Sequence, residues 1–228
     1  MVAKRGGGRN LSSLVGFTLA EVLVTLGIIG VVSAMTVPTL MQNHQRKTYV
    51  TQLHKFYNEL SQALIQYQTD RNALNLKEAG LISNDALKLF FKSYFNVVND
   101  CGEDAEPCFA PNSNYRKIND SEHIGTLLDY SIAIASGAAI TFRSSIRLDT
   151  IAILYVDING PKGPNIAGRD MFAIYIYNDG TVDDWSNDGE KPDKDDRNSN
   201  FDSDCYSANN CWTGCFGKIL NDNWEMTY

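Results

Sequence analysis

The sequence has 228 residues, a formal net charge of -7, five cysteines and only three histidines. Such acidity argues against a general nucleic-acid binder, because phosphate contacts need Lys and Arg. No phosphate loop, H-E-x-x-H or G-x-S-x-G pattern occurs, so no catalytic constellation is visible and no enzyme is expected.

The first 16 residues carry Lys4, Arg5 and Arg9, no acid, and end in Gly16. Phe17 opens a long apolar run with one carboxylate, Glu21, near its head. From Val22 to Asn43 no side chain is charged. That length suffices for a membrane-crossing helix of about 20 residues. A charge inside such a segment costs roughly 2.5–3.5 kcal/mol even on the lenient insertion scale, so the lone acid is expected to be functional and to have a partner. The run offers none, which places the expected partner on another molecule. The leader cations hold that end in the cytoplasm by the positive-inside tendency. All five cysteines then fall outside, where disulfides persist.

These residues, with Gly30 and Pro38 further on, resemble the N-terminus of type IV prepilins and type II secretion pseudopilins. The resemblance covers about residues 10–45. It implies that prepilin peptidase cuts between Gly16 and Phe17, that the new Phe17 amine is N-methylated, and that Glu21 pairs with the Phe17 amine of a neighbouring subunit. It also implies a single-pass inner-membrane protein with a periplasmic head. The partners it implies are copies of itself or other pilin subunits, an inner-membrane assembly platform and an ATPase motor. The motif does not separate a type IV pilus from a secretion pseudopilus. Three readings compete: an ordinary signal peptide cut before Met35, a plain signal anchor with Glu21 at the membrane interface, and a buried helix of a soluble core. The alternative function is a membrane-anchored or exported periplasmic binding protein or adhesin or, less simply, a membrane-tethered hydrolase using acids of the late loop. Glu21 at the head of the apolar stretch argues against the signal peptide, and the basic glycine-rich leader is unexplained by a buried helix.

After Pro38, Tyr49, Leu53, Phe56, Leu60, Leu64 and Tyr67 recur every three or four residues. The spacing predicts one helix from about Phe17 to about Gln68. Residues 17–40 form its membrane and assembly segment, 41–70 its amphipathic continuation, and 71–228 a globular head. Asn84 and Asp85 read as the cap and first turn of a short helix through Phe95, which ends in a loop at Cys101. Strands are predicted over 127–135, 139–143, 151–158 and 171–177; the last is apolar on both faces, as a central strand would be. Residues 157–170 read as an ordered, structural surface loop. The tail, with Trp224 and Tyr228, is expected to dock as a final strand. The fold class is α+β: a pilin-like long helix packed on an antiparallel sheet.

Cys101 and Cys108 enclose a polar loop and are expected to pair. Among Cys205, Cys211 and Cys215 any one pairing leaves a cysteine over. The pilin resemblance, with its staple near the C-terminus, favours Cys205–Cys215; Cys205–Cys211 stays open. From Asn178 to Asp204 the chain holds nine aspartates and Glu190, which reads first as a solvated loop. Asp184, Ser186, Asp188, Gly189, Glu190 and Asp195 also fall at EF-hand-like oxygen spacing, a calcium alternative weakened by Pro192 and by Asp in place of a twelfth-position Glu. No other metal or cofactor is expected.

Overall fold

The computed structural model describes residues 18–119, 125, 128–207 and 211–228. The chain divides into two units, residues 1–44 and 45–228. Helix α1 (Leu19–Asp70) begins in the first and ends in the second, with Pro38 inside it. In the first unit every described residue of α1 is exposed, including Leu23, Ile28, Ile29, Val31 and Met35.

The second unit is an α+β head. Helix α2 (Asn84–Tyr94) is followed by β1 (Val97–Gly102), β2 (Tyr130–Ile134), β3 (Ala139–Arg147), β4 (Thr150–Asp157), β5 (Met171–Tyr177) and β6 (Val182–Asp183). The six strands form one antiparallel meander in sequence order. Helices α3 (Lys194–Asn200) and α4 (Cys215–Asn221) follow, with a π-helical turn over Phe201–Cys205.

Alternation along the strands gives the sheet two apolar faces. Ile140, Phe142, Leu154, Val156, Phe172, Ile174 and Ile176 join the main core with Leu53, Phe56, Leu60, Leu64 and Tyr67 of α1. The helical stripe thus finds the sheet its spacing called for. Leu87, Phe90 and Phe91 of α2 and Phe216 and Ile219 of α4 complete that layer. On the opposite face Ala139, Met171 and Ala173 lie under Phe109, Tyr115 and Trp212. Strand β5 is therefore covered on both sides, as its uninterrupted apolar run requires.

Several boundaries differ from expectation. The α2 cap is Ser83, whose Oγ accepts the Ala86 N–H at 3.2 Å. Asn84 is occupied elsewhere: its Oδ1 accepts the Ser144 N–H at 2.6 Å and its Nδ2 donates to Asp129 at 2.7 Å. Strand β1 lies beyond the predicted helix end at Phe95 and takes in the first residues of the Cys101 loop, where no strand is predicted. Strand β2 starts at Tyr130, after Leu127, which lies outside the described residues. The tail is not a strand. Residues after α4 are irregular, because Asn223 and Trp224 take positive φ values of 53° and 62° that no strand accommodates. The tail docks through side chains instead: Trp224 stacks on His54 with centroids 4.0 Å apart, and the Tyr228 hydroxyl donates to the Gly168 carbonyl at 2.9 Å.

The head carries two disulfides, Cys101–Cys108 and Cys205–Cys215. The second packs on Gly168, which has φ 81°; a Cβ there would lie 2.9 Å from Cys215 Sγ and 3.3 Å from Cys205 Sγ. A left-handed alanine costs about 1–2 kcal/mol and crowding a packed site a similar amount. Gly168→Ala is therefore expected to destabilise the head by about 2–4 kcal/mol, read from urea midpoints at unchanged slope.

Candidate functional site

Gly16 and Phe17, the expected cleavage and methylation residues, lie outside the described residues. Glu21 is in the first turn of α1 and exposed. Its carboxylate accepts the Thr18 N–H at 2.9 Å, and its own N–H donates to Thr18 Oγ1 at 3.2 Å. This reciprocal pair is a capping box, T-x-x-E, which satisfies two N–H groups that the helix leaves over. The pattern was legible in the sequence but was masked there by the question of why an acid stands in an apolar run. Glu21 thus already does local work in the single chain. Its other lone pairs stay open to an external donor, since a carboxylate accepts several hydrogen bonds.

Helix α1 is long and apolar enough to cross a membrane. A contiguous exposed apolar surface of this extent marks a membrane or protein contact. Gly27 and Gly30 have nothing within 4 Å of where a Cβ would stand. They are the places along this helix where another backbone can approach closely.

In the head, the structure does not gather the six oxygen-bearing residues of the acidic segment around one point. Asp184 is fully buried and spends its carboxylate on three backbone donors, the N–H groups of Trp185, Gly214 and Gly217. Its neighbour Asp183 takes the Arg197 guanidinium in a two-pronged pair, Nε to Oδ1 at 2.8 Å and Nη2 to Oδ2. Asp188 Oδ1 accepts Ser186 Oγ at 2.6 Å and the Glu190 N–H at 2.9 Å. Asp195 sits in the first turn of α3, under a capping box made by Asp193 and Asp196. Asp183 and Asp184 thus tie β6 to α3 and α4, while Asp188, Asp193 and Asp196 are spent on donors within the segment. Among the described residues no three His, Cys, Asp or Glu side chains are grouped to hold a metal. His54 is committed to its stack on Trp224, and His123 lies outside the described residues. Cys211 is exposed and belongs to neither disulfide.

The buried Lys117 makes a further tie that composition does not reveal. Its Nζ donates to the carbonyls of Asp204 and Ser207 at 2.9 and 2.8 Å. This anchors the chain beside the Cys205–Cys215 staple.

Compared with protein-family models, with curated proteins and with solved structures, the chain matches none. What its described residues define is a class: a chain with one long exposed apolar helix, continued by a disulfide-stapled α+β head built on a six-stranded antiparallel meander.

Burial pushes the Asp184 carboxyl up to about 7, against the lowering effect of its backbone donors. An unfolded aspartate releases its proton at about 3.9. Between about pH 4 and 7 the folded head therefore holds a proton that the unfolded chain has lost. Stability conferred by that proton is full below this window, falls as pH rises through it and levels off above. The loss is bounded at about 4 kcal/mol. Urea midpoints measured at both ends of the window should show a smaller fall in Asp184→Asn than in the parent chain.

Proposed function

We propose that this chain is a structural subunit of a helical filament of the type IV pilus or type II secretion pseudopilus kind. The observation that carries the reading is the apolar first part of α1, exposed throughout, with Glu21 as its one acid directly behind the Gly16-Phe17 step. The α+β head with an antiparallel sheet and a disulfide near the C-terminus supports it. In this reading prepilin peptidase removes residues 1–16 and the Phe17 amine is methylated. The subunit waits in the inner membrane with its head in the periplasm, until a platform and an ATPase motor move it into the filament.

The physics of assembly follows from the helix. Lipid tails and neighbouring helices are equally apolar, so transfer between them gains little from hydrophobicity, and packing and polar pairs decide placement. A Glu21 carboxylate facing the Phe17 amine of a neighbour is a poor source of net stability but a good source of register, because any other stagger leaves a charge unpaired in an apolar surround. The Thr18 N–H already bonded to Glu21 adds to this: the acid arrives at its partner held in one orientation rather than free to rotate.

Mass spectrometry of the terminal peptide tests the reading, with the full chain expressed with and without a prepilin peptidase. The expected result is a methylated Phe17 terminus that depends on the peptidase. A terminus at Met35 would make the chain an exported protein and end the proposal. In an assembling strain, Glu21→Ala should leave the subunit processed and membrane-bound yet reduce filaments at least tenfold, a loss on the order of 1.4 kcal/mol or more in placement. Normal filament number and symmetry in that variant would remove Glu21 from the mechanism.

A further inference from the structure

The loop between β4 and β5 closes over two acids. Asp157 ends β4, Asp170 immediately precedes β5, and neither keeps any exposed surface. Asp157 Oδ2 accepts the Tyr115 hydroxyl at 2.6 Å, and its Oδ1 accepts the Asn159 N–H at 3.2 Å. Asp170 accepts the N–H groups of Asn165 and Ile166 at 2.8 and 2.6 Å. Asn159 spans the two acids, since its Nδ2 also reaches Asp170 Oδ2 at 3.4 Å and the Gly163 carbonyl at 3.3 Å. Among the described residues neither acid has a Lys or Arg in salt-bridge reach. Two buried carboxylates without a countercharge are costly, and one of them must hold a proton or find a cation.

A second observation bears on which remedy the loop is built for. Asn159 Oδ1 and Asn165 Oδ1 are both buried and have no hydrogen-bond partner. Asn165 keeps only 5% of its surface. Buried polar atoms are nearly always satisfied, so two orphan oxygens in one short loop call for a donor or a cation that the fold itself does not supply. Both belong to residues that donate to Asp170 Oδ2 through other atoms. The loop therefore brings together two carboxylates, two unsatisfied amide oxygens and the Gly163 carbonyl, whose one donor is long. Every one of these is a hard oxygen, and no sulfur or imidazole accompanies them. That donor set suits calcium, which accepts irregular oxygen cages, better than zinc or copper.

We propose that the β4–β5 loop is a calcium site whose ligands are drawn from Asp157, Asn159, Asn165 and Asp170. It is separate from the acidic segment from Asn178 to Asp204, and it stands whether or not the chain assembles into filaments. The cation neutralises both carboxylates and gives the two amide oxygens a partner. It locks the hairpin that carries β5, the strand covered on both faces.

The test uses the full chain in detergent micelles, freed of metal by a chelator and titrated with calcium chloride in a calorimeter near neutral pH, with magnesium chloride in parallel. One saturable event per chain is expected, with a dissociation constant of about 10⁻³ M or tighter. The unfolding temperature should rise with calcium concentration, as linkage requires. Asp170→Asn should weaken binding about tenfold or more. Asn165 has a φ of 58°, which glycine adopts without strain, so Asn165→Gly removes an amide oxygen that bonds nothing in the fold and should weaken binding about tenfold while leaving the metal-free unfolding temperature within a few degrees; it decides the matter if Asp170→Asn does not fold. Asp188→Asn, in the acidic segment, should bind as the parent does. The proposal is overturned by the absence of heat and of any thermal shift up to about 10 mM calcium. It is equally overturned by unchanged affinity in Asn165→Gly, by loss of binding in Asp188→Asn, or by magnesium binding as tightly as calcium.

Discussion

The packing of the later half of α1 on one face of the sheet is the contact on which the head depends. Leu53, Phe56, Leu60, Leu64 and Tyr67 are each buried to within a few per cent of completely. At about 1.5–3 kcal/mol for each large apolar side chain removed from water, these five together contribute on the order of 10 kcal/mol. It also sets the register of the sheet. Strands β3, β4 and β5 present Phe142, Leu154 and Ile174 to the helix, and a slip of one residue would turn each of them to the other face. Helix α2 adds a ladder of rings at one end, Phe91 against Phe142 and Phe90 against Tyr67.

The same chemistry is unanswered in residues 19–44. There the helix carries leucine, isoleucine and valine on every side and buries none of them. Only an apolar environment supplied from outside the chain answers it, and a bilayer or a bundle of like helices would each do so. Within the head, carboxylates are answered individually: Asp183 by Arg197, Asp184 by backbone donors, Asp129 by Arg143 and Asn84. The acidic composition is therefore spread between solvent and a few tightly built ties.

The long helix and β5 could be read from the chain because each shows one pattern without interruption. Helical spacing from Tyr49 to Tyr67 and seven consecutive apolar residues from Met171 leave little choice. Strand β1 was not legible: Val97-Val-Asn-Asp-Cys-Gly102 is half exposed, lacks alternation, and pairs with β2 through two register shifts. Helices α3 and α4 are short and depend on Asp193 caps, the Cys205–Cys215 bond and Asp184, none of which has a periodic signature. The burial of Asp157 and Asp170 was hidden for a different reason. Asp-Ile-Asn-Gly reads locally as a turn, and the Tyr115 hydroxyl that meets Asp157 comes from far away in sequence. Glu21 was the easiest candidate to find, since one charge in an apolar run needs no structural context.

The meander makes each strand pair with the next one along the chain, so the sheet is built from neighbours and can close hairpin by hairpin as it emerges. The tail breaks that rule. Trp224 returns to His54 and Tyr57 on α1, and Tyr228 reaches back to Gly168. A chain that emerges in order therefore leaves that flank of the helix open until Trp224 and Tyr228 have arrived. Without them the sheet is whole while the helix is not fully clothed.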